Sequence, residues 1–536
     1  MTVTDIFLQL RQAGANLSLK GDALHLSALP NTLPASLLQA VRTQKVALVE
    51  HLSQPKEQGP GPLTPSWQDA AGIYYPVHPV LEREWLLFRL KENGNFFNIQ
   101  LVVEVEDLKK PLLEAVIRHL VARHESLRTC LRVVAGTLRQ LIVEPGQIGP
   151  LPIDYRLLPE GPTSFPTWVE WCRQANETAF DLERAPLFRV LCGQQTDGRS
   201  KLCLTIHHAI ADNESTQLLK QEMAQVYASL LRQEPVGLPP VIEHYKDYIH
   251  RRLWRASQRK SYWLRLLRQG LPELTLGALP AARPADQYET IHASINRLGI
   301  GPARWVRELV RRVDTPDGGE FKTCFDQATL DRLHVYCRAW QVEFPALLGT
   351  LFSLALRQTV GQQRVVYDVP MIDRDPHRNA HTIGWLTCGI YCPVDIDETQ
   401  PLGKEVVRVQ AIMQEGIDNG GVDMTSLLDE VGLPEAQIPS MLLNCLRFSG
   451  ASLPEARQQT THKTGGLIAY FDLFLMIGQF DNALEWITIY RTDRASAAVI
   501  EQLHASLASL LAALPGPQEH TCTAADLMGR TATYTR

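Results

Sequence analysis

Two adjacent histidines, His207 and His208, precede an aspartate, Asp212, in the stretch KLCLTIHHAIADNES. An imidazole has an ordinary pKa near 6.5, so it is largely neutral at cytoplasmic pH and can accept a proton. Held beside an attacking amine or hydroxyl, such a base is typically worth roughly 10²–10⁴ in rate. KLCLTI is a short β-type run, which places the end of a strand at Ile206. Strand ends and the loops after them hold reactive groups in place yet exposed. Consecutive residues there point to opposite sides, so one histidine can face a cavity while the other packs. Asp212 or Asn213 then stands at the N-cap of the next helix. Read alone, the pair fits two satisfied structural histidines better than a catalytic centre; its surroundings reverse that preference.

The elements that must position the pair are legible as periodicities. ESTQLLKQEMAQVYASLLRQ carries Leu218, Leu219, Met223, Val226, Tyr227 and Leu230 on one helical stripe. RVVYDVPM reads as a later strand and AAVIEQLHASLASLLAAL as a later helix, so residues 67–515 form a mixed α/β body. Residues 54–66, QPKEQGPGPLTPS, are too rich in Pro, Gly and polar residues to bury a core and read as a linker. Ahead of it lies a small module. Ile6, Phe7 and Leu10 have helical spacing, and Leu17, Leu19, Leu24 and Leu26 alternate around Lys20-Gly21-Asp22 as in a hairpin. A second helix begins near Pro34, with Leu37, Leu38, Val41, Val46 and Leu48 as its apolar stripe.

The 536 residues are 45% hydrophobic and 21% charged, an ordinary globular composition, and are too many for one small core. A net charge of −5 lacks the basic field of a nucleic-acid binder. No apolar run reaches the roughly 18 residues of a membrane span. MTVTDIFLQL lacks the pattern of a signal peptide, so a cytoplasmic protein is expected. The ten cysteines are scattered; Cys388 and Cys392 lack a second ligand pair, and no metal site is expected.

HHAIADN resembles the HHxxxDG signature of nonribosomal peptide condensation domains. Further stretches resemble that family's motifs in the same order: YPVHPVLEREW, RHESLRTCL, FDLERAPLFRV, HYKDYIHRRL, DVPMIDRD, IGWLTCGIYCPV and GLIAYFDLFLMI. The set spans about 75 to 500. The resemblance implies an α/β fold of two chloramphenicol-acetyltransferase-like lobes in a V-shaped pseudo-dimer, residues 67–243 and 244–515, with a tail at 516–536. Residues 1–53 resemble the beta-hairpin docking domains of assembly-line proteins, and the resemblance assigns docking to Leu17, Leu19, Lys20, Leu24, His25 and Leu26.

By the same resemblance, His208 and His207 form the catalytic pair, with His208 taking or orienting the nucleophile's proton. Asp212 makes a structural ion pair with Arg374, and Asn213, Trp385 and Cys388 line the substrate tunnel. The substrate arrives on the phosphopantetheine arm of an upstream acyl or peptidyl carrier protein, captured through its C-terminal peptide tail; no cofactor is held covalently. Neither a nucleic acid nor a membrane is expected as a partner, and the protein is expected to be a monomer. Three departures stand out: Asn213 replaces the signature Gly, Cys388 replaces an Asn, and the HQDxPFE motif is unrecognisable around 418–428. Asn tolerates positive φ, so the backbone can survive the first change. No GGxS carrier site, G-x-S-x-G elbow or P-loop is present. The expectation is therefore a stand-alone enzyme acting in trans on a small soluble hydroxy or amino acceptor, releasing an ester or amide. A carrier-bound aminoacyl acceptor, an epimerase, a soluble acyl-CoA transferase and a non-catalytic recruitment domain are the alternatives.

Overall fold

The strand Arg199–His207 shows how the first half is built. Leu202, Leu204 and Ile206 project to one face and join a core with Leu113, Val116, Leu120 and Leu219. Cys203, between them, projects to the other face, against Trp168 and Cys172. This period-2 alternation sandwiches the sheet between helices Lys110–Arg123 and Asn213–Leu231 on one side and Ser164–Glu177 on the other. The strand order is Asn98–Glu106, Arg199–His207, Phe188–Gln194, Ile153–Leu157. The last pair runs parallel and the others antiparallel. A second antiparallel sheet is formed by Trp67–Asp69, Gly72–Pro76, Thr137–Ile142 and Thr129–Val134.

The computed structural model describes residues 6, 16–20, 23–27, 35–53, 63–69, 72–90, 97–277, 317–434, 437–447, 460–468, 471–480, 482–519 and 521–531. Its second half is one seven-stranded sheet, in the order Thr387–Asp395, Arg364–Ile372, Met441–Arg447, Leu473–Gln479, Ala483–Arg491, Asp317–Asp326, Thr460–Ile468. Helix Phe344–Val360 is buried on every side up to Leu356 and lies at the centre of this core, with Leu347, Leu351 and Leu354 fully buried. Among the described residues no single helix is long and apolar enough to cross a membrane.

Two of the described segments do most to join the halves. Helix Tyr245–Leu267 buries Tyr245, Tyr248 and Ile249 against Leu386 at one end, and Trp263 and Leu267 in the larger core at the other. Residues 373–386, between two strands of the large sheet, reach back onto the first half, where Ile383 is 2% exposed in the smaller core. Burying that side chain contributes about 1.5–3 kcal/mol.

The N-terminal hairpin pairs Leu17 with Leu26 and Leu19 with Leu24. Leu17 is buried and Leu24 half-buried; the side chains of Leu19, Lys20, His25 and Leu26, like residues 54–62, lie outside the described residues. Two sequence expectations need correction. The second N-terminal helix is divided at Gln44 into Ala35–Thr43 and Lys45–Ser53, and Val46 does not belong to its stripe: at about 3.6 residues per turn it stands opposite Leu37, so it is 80% exposed while Leu48 stays in line and buried. Within the expected tail, Ala524–Thr531 is a helix whose Ala524 and Leu527 complete the larger core, because both sit on its apolar face.

Gly384 lies in the reaching segment, where a Cβ would overlap the Tyr245 ring. We expect Gly384→Ala to cost about 1–3 kcal/mol of unfolding free energy in urea titrations. Gly146→Ala, where a Cβ meets nothing within 4 Å, is the control that leaves the midpoint in place.

Candidate active site

The strand Arg199–His207 carries its last hydrogen-bonded pairing at His207, opposite Asn98. A single 3₁₀ turn, His208–Ile210, follows, and Asp212 caps helix Asn213–Leu231. His207 turns inward and is 3% exposed. Its Nδ1 accepts a hydrogen bond from the Ala209 N–H at 3.1 Å, which assigns the ring proton to Nε2. The rings of Phe88, Phe97 and Phe180 stand edge-on around it, with centroids 5.4, 6.1 and 6.1 Å away. Burial, with His208 and Arg189 adding to it, pushes its pKa down to about 3.

His208 turns the other way. Its ring is only half-buried, leans on Trp385 at 4.2 Å and lines a cavity of 540 Å³. Burial lowers its pKa, while its own carbonyl, Asp212 and Glu84 pull in the opposite direction. It is therefore a neutral imidazole at pH 7, with a lone pair available to a proton.

Asp212 supplies the frame. Its Oδ1 accepts from the Ser215 N–H at 2.8 Å and lies 2.7 Å from the Ser215 hydroxyl and 3.4 Å from Arg374 Nη2. Its Oδ2 accepts from the Leu386 N–H at 3.0 Å. The side chain is 1% exposed, and a buried carboxylate is tolerable only when so many donors replace its water. Arg374 also holds the carbonyls of Asn379 and Thr382 at 3.1 and 2.8 Å. The Ser215 hydroxyl lies 2.9 Å from the Gly384 carbonyl as well, so its one hydrogen serves Asp212 or Gly384 in turn. One carboxylate thus caps the helix behind the histidines and ties it to the segment that delivers Trp385.

Asn213, Trp385 and Cys388 all line the cavity. Asn213 is the first residue of the helix and is not at positive φ, so its replacement of glycine makes no demand on the backbone. Cys388 is 4% exposed, and burial raises its thiol pKa, which disfavours the nucleophilic thiolate. The cavity also takes in Arg83, one of the motif residues of YPVHPVLEREW, together with Glu84, Arg252, Asp368 and Asp423, which were not singled out from the sequence. Arg83 and Glu84 lie within YPVHPVLEREW, but helical periodicity alone does not say which charged residues of such a helix face inward.

The RHESLRT stretch braces the helix behind the site. Arg123 grips both oxygens of Glu222 at 3.1 Å, and His124 Nε2 lies 2.6 Å from the same carboxylate. Glu125 binds Lys246 at 2.6 Å, reaching the helix that joins the halves.

Two outcomes are expected. Asp212→Ala strands Arg374 and the Leu386 N–H, so it should lower unfolding free energy by about 3–5 kcal/mol, read as a fall in Tm. His207, and His504 with a pKa likewise pushed by burial to about 3, are neutral bases in the fold. The unfolded chain takes up protons near pH 6.5 and the folded chain does not, so stability is intact above that pH and declines as pH falls from about 6.5 toward 3. Urea midpoints measured between pH 7 and 4 should fall steadily.

Comparison with known proteins places this geometry among relatives. The family described as "Condensation domain" matches residues 73–533. Tyrocidine synthase 3 of Brevibacillus parabrevis is 27% identical over 351 residues, covering 64% of this chain and 5% of the relative. A linear gramicidin synthase of the same organism is 26% identical over 459 residues, covering 82% of this chain and 8% of the relative. The chain thus spans only a small part of the length of the curated relatives it matches. A solved structure concerning condensation domain-mediated chain release from the enacyloxin polyketide synthase superposes with a TM-score of 0.64 at 19% identity, over 95% of this chain and 94% of that one. The EpoB cyclization-docking bidomain from Sorangium cellulosum gives a TM-score of 0.64 at 16% identity, over 95% and 97%. These structural likenesses concern the fold: two acetyltransferase-like lobes.

Proposed function

Because the chain belongs to the condensation-domain family of assembly-line acyltransferases, we propose that it transfers an acyl group in trans, from the phosphopantetheine thioester of a carrier protein to a small soluble hydroxy or amino acceptor. The observation that carries this reading is the neutral His208 ring, half-buried on Trp385 and facing the cavity between the halves.

In this reading the proton of His208 sits on Nδ1, which is buried, and its Nε2 is the basic atom. Nε2 takes the proton of the acceptor's hydroxyl or amine as the oxygen or nitrogen attacks the thioester carbon. A tetrahedral oxyanion forms, the C–S bond breaks, and the imidazolium returns the proton to the departing thiolate. An ester or amide and a free carrier thiol result. His207 fixes the loop through its bond from Ala209, and Asp212 and Arg374 hold the loop and Trp385 in register. The chain-release neighbour supports a soluble acceptor, as do Asn213 and Cys388, which differ from the family signature on the cavity wall.

The N-terminal hairpin supports a docking role. Its two five-residue strands pair with each other, and the backbone groups along an outer edge of such a hairpin can be completed by an extended peptide. We assign it the capture of the upstream carrier's C-terminal tail, with the whole reaction placed in the cytoplasm.

The test is single-turnover transfer from an acylated carrier, followed by intact mass. His208→Ala should lose about 10²-fold or more in rate while keeping its Tm; transfer at the wild-type rate in the folded variant would overturn the assignment. The acid limb of kcat/KM should fall below pH 6.5, since burial lowers the pKa of His208. Removal of residues 1–60 should raise KM for the carrier and leave the saturated rate intact. An equal loss at every carrier concentration would place the module in the fold instead. Product formed only from a carrier-bound acceptor would overturn the soluble-acceptor reading.

A further inference from the structure

Three successive arginine positions on one face of helix Tyr245–Leu267 meet different fates. Arg251 forms a two-pronged pair with Glu243 at 2.7 and 2.8 Å. Arg255 lies 3.4 Å from Asp373. Arg252, between them, is 3% exposed; Asp373, already paired with Arg255, acts on it only at a distance, and no carboxylate among the described residues comes within salt-bridge reach of it. Its protein contacts are two distant carbonyls, Gly421 and Thr387, each at 3.4 Å. Its side chain lines the same cavity as His208, beside Cys388.

A guanidinium cannot shed its charge at neutral pH, and burying it without a counter-ion is costly. Two carbonyls at the outer limit of hydrogen bonding leave most of its five N–H donors unused. A planar fork with spare donors, open to a cavity, matches a carboxylate. We propose that the nucleophilic acceptor carries a carboxylate, and that Arg252 binds it while the acceptor's hydroxyl or amine is presented to His208. This rests on the acyl-transfer reading and specifies its substrate class.

The remaining lining supports an oriented ligand. Glu84, Glu214, Asp368 and Asp423 also face the cavity, and Glu84 is paired with Arg83 at 3.2 Å. Arg83, the other arginine on this wall, is offset by Glu84, while Glu214, Asp368 and Asp423 repel an anion from their part of the wall, which leaves the Arg252 end as its berth. The carboxylate takes no part in bond making. The acyl carbon leaves sulfur for the acceptor's oxygen or nitrogen, and the carboxylate stays ionised throughout.

The probes are 3-hydroxybutyrate beside 3-hydroxybutyramide, and β-alanine beside its amide, with an octanoyl pantetheine thioester as donor. The wild type should use each acid with a kcat/KM about tenfold or more above its amide, as expected for one charge-assisted contact. Arg252→Gln should collapse that ratio toward one, and Arg252→Lys should retain part of it. Equal use of acid and amide by the wild type, or an undiminished ratio in folded Arg252→Gln, would overturn the proposal. Anion binding is read separately, as the rise in Tm with each acid and each amide. Transfer to amides without acid preference, and no acid-specific rise in Tm, removes the carboxylate site alone. An acid-specific rise in Tm that Arg252→Gln abolishes, with no transfer to any acceptor, upholds the site and removes the transferase reading.

Discussion

A single buried carboxylate sets the terms for the rest of the molecule. Asp212 caps the helix that follows the histidine loop and at the same time accepts from Arg374 and the Leu386 N–H in the other half. Neither half can satisfy it alone. An N-cap is a local device worth about 1 kcal/mol; here it doubles as the clasp between two cores. The ring of His208 is placed by the helix on one side and by Trp385 on the other, and both are fixed through that carboxylate.

The two histidines show how one environment can assign opposite roles to neighbours. Strand geometry turns consecutive side chains apart, so His207 enters a box of three phenylalanines while His208 meets the cavity. Burial keeps both neutral, but only one has space beside it for a reacting group. The charged residues of RHESLRT contribute at a distance. Arg123 and His124 clamp Glu222, nearly three turns along the capped helix, and Glu125 reaches Lys246 on the helix that joins the halves. Their chemistry is spent on alignment.

Much of this was legible in the sequence because the signals were local. The strand before His207, the stripe of the following helix and the N-cap at Asp212 all lie within about thirty residues and obey simple periods. The pairing of Asp212 with Arg374 came only through resemblance, since nothing in the spacing of residues 162 apart reveals a contact. Arg252 and Glu84 went unremarked for a related reason. On an amphipathic helix, an arginine that snorkels to solvent and one that faces a cavity occupy similar positions in the pattern. Val46 misled because its apolar type was read as stripe, whereas at about 3.6 residues per turn it stands on the far side of the helix from Leu37 and Leu48.

The reach of residues 373–386 onto the first half has a consequence for biogenesis. The smaller core is filled by Ile383, and the capping carboxylate by Leu386, a residue 174 positions downstream. A nascent chain therefore exposes its histidine loop well before the side chain that plugs the core beneath it has been synthesised. Contacts of such sequence separation form late and slowly. Until translation passes residue 386, the first half carries an open apolar slot and an acidic group that has Ser215 but lacks Leu386, the kind of surface that chaperones hold and proteases find.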